Sequence, residues 1–82
     1  ASFMEANFFE ADLSDTDMYG AKLNGADLFK ANFKDADLKF ANLTDANLRG
    51  SNITKEQLHK CYTVNGSTLP IGISKNELKN AE

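Results

Sequence analysis

One cysteine, one proline and no apolar run of any length distinguish this 82-residue chain by what it lacks. With Cys61 alone, no disulfide can form within the chain, and nothing points to an oxidising compartment. No stretch approaches the ~18 apolar residues that span a bilayer, and none has the hydrophobic centre of a signal peptide. The chain begins at Ala rather than Met, so an upstream segment is expected to have been removed. The expected setting is soluble and cytoplasmic, with the periplasm or the thylakoid lumen as alternatives if that segment was a targeting signal. Positive charge is also missing from the first 21 residues, where Glu5, Glu10, Asp12, Asp15 and Asp17 meet no Lys or Arg. From Lys22 onward nine basic side chains face seven acidic ones, so the net charge of −3 is concentrated at one end. The plain reading is that these charges keep an outer wall solvated. Hydrophobic residues make up 41% of the chain, but Ala supplies so many of them that the expected core is thin.

What is present is a period of five. A large apolar residue recurs at Phe3, Phe8, Leu13, Met18, Leu23, Leu28, Phe33, Leu38, Leu43, Leu48 and Ile53. Two positions before each stands a small one: Ala1, Ala6, Ala11, Thr16, Ala21, Ala26, Ala31, Ala36, Ala41, Ala46 and Ser51. Between them sits mostly Asp or Asn. On an α-helix five residues advance ~500°, which scatters the apolar positions around the cylinder. On a straight strand residues five apart face opposite sides. The pattern works only if the chain turns a corner in every repeat. Small and large residues then both face inward along a short edge, because close packing leaves room for one bulky group per edge. An Asp or Asn between them can bond nearby backbone and support the corner. Units with no core of their own, repeated at a fixed period, indicate a solenoid.

The tandem motif Ala-(Asp/Asn)-Leu-x-x, seen in Ala11-Asp12-Leu13-Ser14-Asp15 and Ala46-Asn47-Leu48-Arg49-Gly50, resembles the pentapeptide repeat proteins. The resemblance covers roughly two-thirds of the chain, with mild departures at Thr16, Ser51, Ser2 and Lys22. It implies an all-β solenoid: a right-handed quadrilateral β-helix of about 2.75 coils, four repeats per coil, with a short α-helical C-terminal cap. Stacking at that step predicts interior columns Phe3/Leu23/Leu43, Phe8/Leu28/Leu48, Leu13/Phe33/Ile53 and Met18/Leu38. At one strand spacing of ~4.8 Å per coil, the stack is only about 13 Å tall.

The period ends at Ile53, dividing the chain into a repeat region, 1–53, and a cap and tail, 54–82. Thr54-Lys55-Glu56-Gln57 has the form of a capping box, followed by an apolar stripe of Leu58, Cys61 and Tyr62. Such a helix can lie over the open bottom of the coil and bury Leu48 and Ile53. Asn65-Gly66 reads as a turn and Leu69-Pro70 as an extended segment closed by a breaker. Ser74-Lys75-Asn76-Glu77 is a second capping box, leading a short helix with Leu78 and Ala81. The tail resembles the closing segment of some bacterial pentapeptide proteins. Nothing comparable precedes Ala1, so the top coil is expected to be covered by upstream residues, a partner or a second copy.

In the coil geometry that the resemblance implies, the residue after each large one points outward. Phe9, Phe29 and Arg49 then share one wall, with Met4 around a corner and Tyr19 and Phe40 further round. Outward Phe beside Met and Arg has interface composition. The alternative is that the aromatic pair only stabilises the sheet surface. Asp12, Asp15, Asp17, Asp35 and Asp37 lie on adjacent edges, but carboxylates on a flat wall do not converge as a Ca²⁺ site requires. His59 and Cys61, two apart on a helix, face different ways and form no ligand or nucleophile–base pair. Cys61 reads as a small buried hydrophobe and His59 as exposed. Gly20, Gly25 and Gly50 fall at corners rather than in a phosphate loop, and no serine has a nucleophile-elbow setting. No basic stripe with interleaved aromatics favours nucleic acid, and a filled interior leaves no ligand cavity.

The expectation is therefore a non-enzymatic structural or protein–protein interaction module, without cofactor or metal. Association is expected with a protein partner or a second copy, through Met4, Phe9, Phe29 and Arg49 or through the uncapped first coil. The family resemblance adds an alternative, a DNA-mimicking inhibitor of a topoisomerase or another nucleic-acid-binding protein. Duplex mimicry needs ~one charge per 1.7 Å over a long rod, and a ~13 Å column matches only about four base pairs. Lys30, Lys34 and Lys39 also interrupt the acidic surface.

Overall fold

In the computed structural model, which describes residues 2–73, the chain winds on itself with a step of twenty residues. Ser2, Asn7, Asp12 and Asp17 form parallel bridges to Lys22, Asp27, Asn32 and Asp37, and Lys22 and Asp27 continue to Asn42 and Asn47. The bridges stay isolated because each extended edge lasts only a few residues before the next corner.

The corner has one construction throughout. The amide of the small residue donates to the carbonyl of the large residue three positions earlier, as from Ala26 to Leu23 and from Ala46 to Leu43, both at 3.0 Å. In every repeat from Glu5 to Gly50 the residue just before the small one has φ between 57° and 75°. Positive φ at the third residue alone is the type II turn pattern. The Asp or Asn side chain braces the corner by accepting from the amide two residues on: Asn7 from Phe9, Asp17 from Tyr19 and Asn42 from Thr44, each at 3.0 Å. The hydroxyls of Thr16 and Ser51 donate to the carbonyls of Leu13 and Leu48 at 2.6 and 2.7 Å, which explains why both replace Ala without strain.

Inside the winding, Leu23, Leu28, Phe33, Leu38, Leu43 and Leu48 are fully enclosed, and Ile53 and Met18 nearly so. Phe3, Phe8 and Leu13, at the top of their columns, are only half-buried and pack against the layer below. Phe3 and Phe8 meet edge to face at 5.5 Å. Full burial of each such side chain stabilises by about 1.5–3 kcal/mol, so the lower coils hold more of the stability than the first.

After Ile53 the chain forms α1, Lys55–Lys60, instead of another edge. The inward small station falls on Glu56, whose carboxylate cannot enter the core unpaired, while the local capping box favours a helix. Thr54 is the N-cap: Gln57 N–H donates to Thr54 Oγ1 at 3.1 Å, and Thr54 N–H donates to Gln57 Oε1 at 3.0 Å. Leu58, fully buried, still occupies the next position of the period, and Cys61 is buried beside it.

The helix does not close the bottom of the coil as the sequence suggested. Winding resumes after it in the same layer with a step of 21, Asn42 bridging Thr63 and Asn47 bridging Thr68. Val64 and Ser67 are buried in this layer, and Asn65-Gly66 forms its corner with Gly66 at φ 75°. Tyr62, expected on the buried stripe, is 69% exposed, because α1 ends at Lys60 and Cys61 returns to extended backbone at ψ 154°. His59 is half-buried rather than exposed. The expected second capping box at Ser74–Glu77, with Leu78 and Ala81, lies outside the described residues.

Candidate functional site

The outer wall carries the most distinctive grouping. Phe9 and Phe29 stand on successive coils with their rings stacked at 5.3 Å and 16° between planes. Twenty residues separate them, one full winding, so the ladder itself sets their register. Each sits within an Asx-braced corner, Asn7 accepting from Phe9 N–H at 3.0 Å and Asp27 from Phe29 N–H at 3.2 Å. Phe9 is 52% exposed while Phe29 is half-covered. Arg49 follows on the next coil and is exposed. Met4, around the corner, is 57% exposed.

A cation lies over the stack: Lys30 Nζ is 5.4 Å from the Phe29 ring centroid. Its corner station at φ 58° turns the side chain back over its neighbour. A second pair follows the same logic: Tyr19 and Phe40 meet edge to face at 5.4 Å, with Lys39 Nζ 5.4 Å from the Phe40 centroid. Both lysines belong to the repeats carrying the rings, and a cation next to an outward Phe was the signal available in the sequence.

The acidic residues do not gather. Asp17 and Asp37 stack through their bridge, but each carboxylate is turned to its own corner amide at 3.0 Å. Asp12 accepts from the Ser14 hydroxyl at 2.6 Å, from Ser14 N–H at 3.0 Å and from the Asn32 amide at 3.3 Å. These bonds, the hydroxyl first, hold its pKa below the ordinary 3.8. Asn52 extends the column, donating to Asn32 Oδ1 at 2.8 Å and accepting from Phe33 N–H at 2.6 Å. Among the described residues no three His, Cys, Asp or Glu side chains could hold a metal ion. Burial pushes the Cys61 thiol up to about 12, which leaves it protonated and inert at neutral pH.

Beside the buried core there is an external groove. A space of about 560 Å³ separates the edge 33–38 from α1, where the helix stands in for a missing rung. Gln57 reaches across it, its Nε2 donating to the carbonyls of Phe33 at 2.7 Å and Ala36 at 3.1 Å. No helix among the described residues is long and apolar enough to cross a membrane.

The family described as pentapeptide repeats matches the sequence in eight copies, over residues 1–39 and 31–61. No curated protein matches the chain.

Proposed function

Since the chain belongs to the pentapeptide repeat family, whose fold is a β-helix, we propose that it is a non-enzymatic display module acting through its outer wall. In this reading the winding is right-handed and quadrilateral, about 2.75 coils of it preceding α1. Its rigid ladder fixes outward side chains at one coil spacing. Met4, Phe9, Phe29 and Arg49 form the contact surface for a protein partner or a second copy. The observation that carries the reading is the Phe9–Phe29 stack, held by two braced corners, with Phe9 exposed and Phe29 partly so. Exposed aromatics beside Arg and Met are the composition of interface centres.

The described residues measure 27 × 22 × 22 Å, and Lys30, Lys34 and Lys39 interrupt the negative charge of the wall, which favours wall display over imitation of duplex DNA. Sedimentation across a concentration series, with and without Phe9→Ser and Phe29→Ser together, tests the proposal. Association should weaken in the double variant while its circular dichroism is unchanged. Association identical to the parent's would remove the patch from the proposal, and a strict monomer at high concentration would remove self-association. A topoisomerase supercoiling assay discriminates the alternative, since inhibition by the protein would point to DNA mimicry.

A further inference from the structure

The edge facing α1 lacks two hydrogen bonds that the rest of the ladder makes. In five successive repeats the corner amide and the amide three residues later donate to carbonyls three apart on the next coil. Glu5 and Phe8 donate to Asn24 and Asp27 in this way, and Gly25 and Leu28 to Thr44 and Asn47. The equivalent amides on the edge over α1 are those of Asp35 and Leu38. Their acceptors should be Thr54 and Gln57, but in α1 the Thr54 carbonyl accepts from Leu58 N–H at 3.0 Å and the Gln57 carbonyl from Cys61 Sγ at 3.3 Å. Asp35 N–H and Leu38 N–H therefore have no partner among the described residues, and both residues line the 560 Å³ groove. The carbonyl between them, Ala36, is held by the Gln57 side chain instead of by a backbone amide.

We propose that this groove binds a segment of another protein that supplies the missing rung: a short, basic stretch that turns one corner. Its backbone requirements follow from the other rungs. Residue j offers its carbonyl to Asp35 N–H, and residue j+3 offers its carbonyl to Leu38 N–H. The amide of residue j+3 takes the Ala36 carbonyl, displacing Gln57 Nε2, which keeps its shorter bond to Phe33. The residue at j+1 sits at the corner and needs positive φ, hence Gly. The residue at j+2 takes the inward small station that Ala26 and Ala46 occupy on their rungs, hence Ala. Charge sets the outward positions, because the exposed carboxylates of Asp35, Asp37 and Glu56 outnumber the ammonium groups of Lys34 and Lys60 around the groove. The volume lies within the ~300–1,000 Å³ of ordinary ligand sites, and adding a strand to an open edge is an established mode of peptide capture.

The probe is an acetylated, amidated hexapeptide, Ala-Lys-Gly-Ala-Lys-Ala, titrated into the full ¹⁵N-labelled chain. Binding in the millimolar range should shift the Asp35 and Leu38 amide resonances first and slow their hydrogen exchange, which should be fast in the free protein. Glu in place of both peptide lysines, or Val in place of its glycine, should abolish the shifts. Glu56→Lys, on the exposed face of α1, should weaken binding about two- to fivefold, the size of one exposed charge contact, with the spectrum otherwise unchanged. Slow exchange of the two amides without peptide would overturn the proposal, as would shifts elsewhere only or an equal response to the glutamate peptide.

Discussion

Lys30 packs its aliphatic stem directly over Gly50: a Cβ built on Gly50 would stand 3.0 Å from Lys30 Cγ. The two residues occupy the same corner station on consecutive coils, and the lysine above requires the bare backbone below. Gly25 beneath Glu5 repeats the arrangement at 3.2 Å, whereas Gly20 has nothing within 4 Å. All three have positive φ, so Ala at any of them costs about 1–2 kcal/mol of backbone strain. Gly50→Ala should cost more than Gly20→Ala, because it also lifts Lys30 from its place over Phe29. Gly20→Asp should be near neutral, since Asp15 and Asp35 hold φ 59° at equivalent corners. Urea midpoints of the three variants test the order; equal losses at Gly20 and Gly50 would mean that the packing over Gly50 contributes nothing.

Within one column, depth determines cost. Phe33 is fully enclosed between Leu13 above and Ile53 below, so Phe33→Ala should lose about 3–5 kcal/mol, a large share of a small domain's stability. Leu13 is half-exposed at the top of the same column, and Leu13→Ala should lose about half as much or less. Denaturant unfolding of both variants measures the difference, and parity between them would argue that the first coil is as well packed as the second.

Asp12 sets an acid limit. Its folded-state pKa lies below the ordinary value because Ser14 and Asn32 donate to the ionised form, so the folded chain binds this proton more weakly than the unfolded chain. The contribution is complete above the unfolded value of 3.8 and is lost as pH falls from there through the lowered folded value. Asp12→Asn should flatten this part of the acid-unfolding curve, with the parent and variant midpoints converging at the lowest pH.

Cys61 should resist alkylation. A thiol with its pKa raised to about 12 and its side chain buried presents almost no thiolate at pH 8. Iodoacetamide should label it only in denaturant, at a rate that reports unfolding. Rapid labelling of the native chain would show that the segment after α1 opens locally.

The repeat pattern made the columns legible down to Ile53, because an apolar residue every five positions has only one way to share an interior. Asp and Asn between small and large residues also pointed to braced corners. What stayed hidden was the resumption at Thr63. In strict register, positions 63 and 68 are both Thr, which breaks the apolar pattern. A helix rises only ~1.5 Å per residue against ~3.3 Å for a strand, so α1 consumes one extra residue, and the inward positions move to the buried Val64 and the half-buried Leu69. Leu58 shows that the core outlasted the β-edges: the side chain keeps its column although its backbone is helical. The Phe9–Phe29 stack could be placed from the period alone. The Lys30 contact needed a further signal, the lysine next to an outward Phe, which the period alone does not supply.

Gln57 joins the two kinds of structure, and its variants can separate its roles. Through Oε1 it completes the capping box with Thr54, and through Nε2 it bonds the Phe33 carbonyl, which also closes its own corner with Ala36 N–H, and the Ala36 carbonyl, which a β-edge would otherwise cover. Thr54→Ala removes only the Thr54 hydroxyl's part in the cap and should cost about 1 kcal/mol. Gln57→Glu keeps an acceptor for the Thr54 amide but replaces the donor with a carboxylate facing two carbonyls, which should cost about 1.5–3 kcal/mol at neutral pH. That loss should shrink below pH 4, where the protonated carboxyl regains a donor, whereas the Thr54→Ala loss should not change with pH. If both variants lose the same amount at every pH, Gln57 acts through the helix cap alone and the edge above it does not depend on its amide.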